Sequence, residues 1–280
     1  MDVSTLHALV LAIIQGVTEL FPISSLGHAV ILPKLLNWSV DENSASFLPF
    51  LVVLHLGTAA ALLIFFWRDW IGLLGSLIDA RPTPQREERR KLLLLIVAAT
   101  IPAGLIGLLL EHRLATLFGK PSIAAIFLMV NGVILFVGER QRRKGAPREP
   151  VQLSWMQAIF IGIWQSTALI PGISRSGVTM VAGLVAGLKH EDAARFSFLL
   201  ATPIIGAAGL LEVPKLLHQH TGQLGLVVVS GIVAGVSAFI SVALLMRYFH
   251  RTEFQALNPF AYYCLGAGAI SLILVTLVLR

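Results

Sequence analysis

The chain has 280 residues, of which 56% are hydrophobic and 13% charged, and its mean hydropathy is +0.82. Soluble domains carry about a quarter charged residues, so the composition excludes an aqueous globule and leaves an integral membrane protein. The net charge of +6 sits mostly in short loops beside apolar runs, where cations set orientation and meet anionic head groups, so nucleic acid is not an expected partner.

The first apolar region, about 4–36, has no Lys or Arg before Lys34, so it lacks the basic segment of a cleavable signal. It is interrupted by FPISSLGH at 21–28. A helix running through such a cluster would lose backbone hydrogen bonds that hydrocarbon cannot replace, so the region reads as a re-entrant helix–loop–helix pair shielded by protein. Full spans follow at 47–67, 92–110 and 122–138, near the ~20 residues that cross a bilayer. RQRRKGAPR at 140–148 reads as a cytoplasmic linker. A second broken region, 154–188, carries PGISRSG at 171–177, and spans at 196–213, 224–246 and 259–279 come after it. The one cysteine, Cys264, lies in the last span, so neither an intrachain disulfide nor a cysteine-based metal site can form.

The expected fold is therefore an all-α polytopic membrane protein with six full transmembrane helices and two re-entrant helix–loop–helix pairs. Segments 68–91, 139–153, 189–195 and 247–258 hold 15 Lys and Arg, the opposite loops hold five, and Arg175 sits in the second tip. This bias places the four basic segments in the cytoplasm and the N-terminus outside. Were either broken region an ordinary span, every later loop would change sides and the bias would shrink. At an offset of 150, positions 8–27 and 158–177 share six of twenty residues, among them Gln15/Gln165, Ile23/Ile173, Ser24/Ser174 and Gly27/Gly177. Each broken region plus three spans crosses an odd number of times, so the halves have opposite orientations. The expected organisation is an inverted-topology repeat, with 1–139 and 154–280 as the repeats and 140–153 as the basic linker. Broken helices of such repeats meet near the midplane and form a polar site.

Gln15 and Glu19 are four residues apart and share a helical face. A carboxylate in an apolar helix reads as functional, against the plainer alternative of snorkelling or capping the Ser-rich turn. Ser24, Ser25 and His28 follow the break, where free N–H groups at a helix start favour an anion. The second turn places Arg175 among Ser174, Ser176, Gly177 and Thr179. Arginine suits bidentate phosphate recognition and at membrane depth needs an anionic partner; a structural Arg175–Glu19 ion pair is the competing reading. His55 falls mid-span and reads as a hydrogen bond to a neighbouring helix. Asn131 and Glu212 read equally as cavity-lining or packing groups. His7, His112, His190, His218, His220 and His250 fall at span ends and receive no chemistry.

The run QGVTELFPISSLGH followed by PGISRSGVT resembles the bacitracin-resistance type of undecaprenyl-diphosphate phosphatase, over essentially the whole chain in length, span order and spacing. The resemblance implies a bacterial inner-membrane hydrolase that removes the terminal phosphate of undecaprenyl diphosphate for cell-wall synthesis, with its active site facing the periplasm. The family's first motif has Glu or Gln four positions before its glutamate; this chain has Gln15, which leaves one embedded carboxylate, Glu19.

Phosphoanhydride hydrolysis needs an in-line nucleophile and positive charge on the non-bridging oxygens. Arg175 and the turn amides from Ser174 to Gly177 supply the charge. The nucleophile is either Ser25, with His28 as its base, or a water activated by His28 or Glu19; Ser25 is preferred because it lies three residues from His28 and the resemblance places catalytic weight there. Gln15, Ser24, Ser174, Ser176, Gly177 and Thr179 are the expected substrate-binding residues. A divalent cation, Mg²⁺ or Ca²⁺, is the expected cofactor, with Glu19 as its ligand beside the substrate oxygens. The expected partners are a long-chain prenyl diphosphate lipid and the bilayer, with a homodimer left open. The rival reading is a lipid or small-anion translocase on the same fold.

Overall fold

The computed structural model describes residues 4–38, 47–78, 83–115, 120–142, 148–218 and 224–278. Of the positions used above, Arg81, Arg143, Lys144, His220 and Arg280 lie outside the described residues, as does 143–147 of the linker. The described residues form eleven α-helices and no strand. In chain order they are α1 (Thr5–Thr18), α2 (Ser25–Leu35), α3 (Phe47–Phe65), α4 (Trp67–Ile78), α5 (Pro84–Ala115), α6 (Pro121–Gln141), α7 (Trp155–Ser166), α8 (Arg175–Ala186), α9 (His190–His218), α10 (Leu224–Arg251) and α11 (Asn258–Ile273).

Six of them are long and apolar enough to cross a membrane: Phe47–Phe65, Pro84–Leu110, Pro121–Gln141, His190–Pro214, Leu224–Arg251 and Asn258–Leu277. They match the six expected spans. Their ends differ, because several helices run on past the hydrocarbon. Of the segment read as a loop at 68–91, the described residues are mainly the amphipathic α4 and the polar first turns of α5. Water satisfies the backbone ends there, so nothing forces the helix to stop at the apolar boundary.

The two broken regions are pairs of short helices. Pro22 and Pro171 sit in the breaks, and each second helix restarts on a serine. Ser24 caps α2 by accepting from the Gly27 N–H at 3.2 Å, and Ser174 caps α8 by accepting from the Gly177 N–H at 3.2 Å. Each pair doubles back. The His7 ring at the start of α1 stacks on Trp38 just past α2, with centroids 4.4 Å apart. The Gln157 side chain, early in α7, donates to the Ala186 carbonyl at the end of α8 at 3.1 Å.

The polar ends of the long helices gather in one place. Glu139 at the end of α6 accepts from His190 at the start of α9 at 2.8 Å, and His190 also meets Glu253 at 3.3 Å. Arg142 donates to the Glu253 carbonyl, Glu191 meets His250 at 3.0 Å, and Asp69 pairs with Arg195. The Glu139 carboxylate also accepts the Leu257 N–H and so caps α11. All four segments that the charge count places on one side thus share one end of the bundle.

The tips of the two short-helix pairs meet in the middle of the chain's packing. Ser24 Oγ donates to the Ile173 carbonyl at 3.2 Å, and Ser176 Oγ donates to the Glu19 carbonyl at 3.2 Å. Gly172 has a φ of +103°, and a Cβ there would lie 2.3 Å from the Ala124 carbonyl of α6, so only glycine fits this turn. Asn131, fully buried on α6, clamps both tips: its amide donates to the Pro22 carbonyl at 3.0 Å, and its oxygen accepts the Ser174 N–H at 2.9 Å. Asn131→Leu strands both backbone groups, each at a cost of about 1–3 kcal/mol. A lowered melting temperature in detergent is the expected result.

Candidate active site

Glu19 is the hub of the tips. Its Oε2 accepts from the Ser25 hydroxyl at 2.5 Å and the Gln15 amide at 3.3 Å, and faces His55 Nε2 at 3.2 Å. Its Oε1 takes Arg175 Nε at 3.2 Å and Nη2 at 3.0 Å. Arg175 Nη1 donates to the Ser197 carbonyl at 3.2 Å. Three of the five guanidinium N–H groups are thereby used, and one on each terminal nitrogen is left. The ion pair and the functional reading coexist, because the same arginine orients Glu19 and keeps two donors for an anion.

Ser25 owes its position to the N-cap before it. Ser24 has a φ of +67°, an unfavourable conformation for a residue with a Cβ, held by its bonds to Gly27 and Ile173. That bend turns Ser25, the first residue of α2, back onto Glu19.

The cluster forms one wall of a cavity of about 350 Å³, within the range of small-ligand pockets. Glu19, Ser24, Ser25, His55, Ser174 and Arg175 supply its polar side. The remaining walls are largely apolar, from Leu48 and Val52 of α3, Ala103 to Leu108 of α5, and Ile204 to Leu211 of α9. Leu108 and Leu211 are 56% and 47% exposed, which puts the mouth between α5 and α9 on the outer face of the bundle. These stretches belong to the helix halves far from the charged end described above.

The expected site residues divide into two groups. Glu19, Ser24, Ser25, Ser174 and Arg175 line the cavity. Gln15 stands behind Glu19 as its amide donor. Ser176, Gly177 and Thr179 are buried in the tip: Ser176 ties it to the Glu19 carbonyl, Gly177 is held by the α8 cap, and Thr179 bonds Ser197 at 2.6 Å. His28 is placed away from the Ser25 hydroxyl. Its Nδ1 lies 2.7 Å from the Ser24 carbonyl and must carry the proton, so its Nε2 accepts from the Tyr263 hydroxyl at 2.7 Å. The base within reach of Ser25 is Glu19.

His55 is the site residue that the sequence reading undervalued. Its Nδ1 donates to the Leu51 carbonyl at 2.8 Å, which leaves Nε2 facing the Glu19 oxygen. A carboxylate oxygen and a ring nitrogen attract at this distance only with a proton between them, so the pair holds one shared proton. The helix carrying His55 is pressed close to α10, since a Cβ on Gly57 would lie 1.9 Å from the Gly231 carbonyl. Glu212 lines the cavity and Asn131 is the clamp between tips.

Among the described residues, no group of three or more His, Cys, Asp or Glu is arranged to hold a metal ion. Glu19 is the only carboxylate in the cluster, and both its oxygens are engaged by Arg175, Ser25, Gln15 and His55. The side chains present do not by themselves fit a metal centre.

A guanidinium with two unused N–H groups beside a serine, reached through an apolar cavity that opens on the outer face of the helix bundle, marks a class of membrane proteins that handle anions carried on apolar chains. Comparison with known proteins makes this specific. The chain belongs to the family of the Bacitracin resistance protein BacA, whose family model matches residues 8–270. It is 50% identical to "Undecaprenyl-diphosphatase 2" of Chromobacterium violaceum over 272 residues, covering 96% of this chain and 98% of the relative. It is also 50% identical to the "Undecaprenyl-diphosphatase" of Granulibacter bethesdensis, with 95% of each chain covered, and to that of Acidiphilium cryptum, with 96% and 98% covered.

Proposed function

We propose that this protein hydrolyses the terminal phosphate of undecaprenyl diphosphate, giving undecaprenyl phosphate and inorganic phosphate and so returning the lipid carrier to cell-wall synthesis. The observation that carries the reading is the Ser25 hydroxyl, 2.5 Å from a carboxylate that Arg175 fixes on the cavity wall. The names of the close relatives support it.

Ser25 Oγ attacks the terminal phosphorus. The Oγ–P bond forms, the bridging P–O bond breaks, and the lipid monophosphate departs with that oxygen. The serine proton passes to Glu19 Oε2, beside the proton shared with His55. The two spare N–H groups of Arg175 and the Arg175 and Ser176 amides bind the non-bridging oxygens as their charge grows, while the expected Ser174 and Gly177 amides are held by Asn131 and by the Ser174 cap. Water then attacks the phosphoserine, releases inorganic phosphate and returns the proton to Ser25. The alternative, direct attack by a water that Glu19 deprotonates, uses the same groups. Gln15 and His28 act through Glu19 and the Ser24 turn. A divalent cation belongs to the proposal as an ion that would arrive on the diphosphate, and no step rests on it.

The proposal places the chain in a bacterial inner membrane, with α1–α2 and α7–α8 as re-entrant pairs of an inverted repeat, 1–139 against 154–280, joined by the linker 140–153. The doubling back of both pairs and the shared caps at an offset of 150 support this. The cavity lies in the half away from the basic end, in keeping with a site open to the periplasm. In a single-cysteine scan on a Cys264→Ser background, cysteines at Arg86, Arg142, Lys189 and Glu253 are expected to resist an impermeant external thiol reagent, and those at Asn37 and Lys120 to label. Labelling of Arg142→Cys from outside would reverse the layout.

Release of inorganic phosphate from a long-chain prenyl diphosphate by the purified protein, with and without chelator, tests the function. Movement of the lipid across vesicles without phosphate release would favour a translocase.

A further inference from the structure

Among the described residues that line the cavity, Gln165 is the one with no hydrogen bond on either of its polar atoms. It is 3% exposed, lines the cavity, and neither Nε2 nor Oε1 has a hydrogen-bond partner among the described residues. Buried carboxamides are satisfied as a rule; this one borders the cavity with both polar atoms covered, and a turn of its side chain offers them to what enters. Its counterpart at the offset of 150, Gln15, donates its amide to Glu19. The position matching Glu19 in the second half is Leu169, so Gln165 has lost its carboxylate partner while keeping its place.

The surroundings define what the ligand is. Gly162 of α7 packs on the Ala99 carbonyl of α5, and Leu169 lies 3.9 Å from where a Cβ on Gly107 would be. Gln165 lies between these two contacts along the chain and lines the cavity together with Ala103, Gly104 and Gly107 of α5, none of which carries a polar side chain. A diphosphate brings two phosphates. The Arg175, Ser174 and Ser25 group takes the one that is attacked. Beyond the Glu19 cluster, the polar lining side chains are Glu212, a carboxylate that repels an anion, and Gln165. The geometry points to Gln165 as a substrate-binding residue for the phosphate that stays on the lipid, with Nε2 donating to a non-bridging oxygen and Oε1 accepting from a protonated oxygen or a water on it. A neutral donor there holds the departing lipid phosphate without the charge that would trap it as product.

The inference rests on the phosphatase reading, and its test separates the two. Purified full-length protein and its Gln165→Leu variant are compared for KM, for inhibition by a prenyl monophosphate and for inhibition by inorganic phosphate. The expected result is a KM and a prenyl monophosphate inhibition constant both weakened about tenfold, the size of a lost hydrogen bond to a charged group. Inhibition by inorganic phosphate, which occupies the Arg175 side, is expected to stay unchanged. Gln165→Glu, which keeps the shape and sets like charges together, is expected to weaken the prenyl monophosphate further. Unchanged constants in both variants, or equal weakening of both inhibitors, would overturn the assignment. Should the native protein release no phosphate, the proposed function fails by itself. Direct binding of the prenyl monophosphate to the native and Gln165→Leu proteins then still decides the role of Gln165.

Discussion

Ser25→Ala is expected to lower phosphate release by roughly a thousandfold or more, the scale seen when an enzyme loses its nucleophile. The substitution removes one oxygen from a residue buried at the cavity wall and leaves the Arg175–Glu19 pair intact, so the protein should fold and still bind the lipid. In the native protein, rapid acid quench during turnover is expected to trap phosphate on Ser25. The geometry assigns the proton to Glu19, so Glu19→Gln should fail nearly as completely. His28→Ala should fail less, because its ring acts through the Ser24 carbonyl and Tyr263 and does not meet the reacting hydroxyl. If Ser25→Ala kept substantial turnover while Glu19→Gln did not, water would be the nucleophile and Ser25 a phosphate-binding hydroxyl.

The parts of this site that local chemistry dictates were legible in the sequence. Single prolines are carried inside α5 and α9, at Pro102, Pro203 and Pro214, but at Pro22 and Pro171 the proline stands in a cluster with serine and glycine, and the serine before each restart is a cap with its glycine three residues on, so the two breaks and Ser24, Ser25, Ser174 and Arg175 could be read directly. Glu19 announces itself as a carboxylate in an apolar run. The pairings across the chain could not be read. His55 is one titratable residue in a helix apolar on all sides, and nothing local shows that α3 turns that side to Glu19; only its intramembrane position signalled a role. His28 was legible as a neighbour of Ser25, but its partner, Tyr263, comes from the last helix, 235 positions away. The reading of 68–91 as loop failed for a different reason. Hydropathy marks where a helix leaves the hydrocarbon, while α5 continues to Pro84 because water can satisfy its end.

Arg175→Lys is expected to cost about a hundredfold in turnover and Arg175→Ala considerably more, because the arginine does two tasks with one rigid fork. Its Nε and Nη2 hold Glu19, its Nη1 holds the Ser197 carbonyl, and one N–H on each terminal nitrogen remains for phosphate. A lysine ammonium has three donors on a flexible stem and cannot reach two fixed protein acceptors and a phosphate together. Stability and catalysis should separate in this series. Arg175→Ala leaves Glu19 buried with only His55 as a charged neighbour, and breaking such a pair costs about 3–5 kcal/mol, so its melting temperature should fall sharply. Adding Glu19→Gln to Arg175→Ala removes the stranded charge. The double variant is expected to melt above Arg175→Ala yet to be no more active than the weaker single variant. Glu19→Gln by itself removes the base for Ser25, so binding of inorganic phosphate is the readout: binding kept in the double variant would mean that the arginine serves the fold alone, and binding lost while stability recovers would place its two spare N–H groups on the substrate.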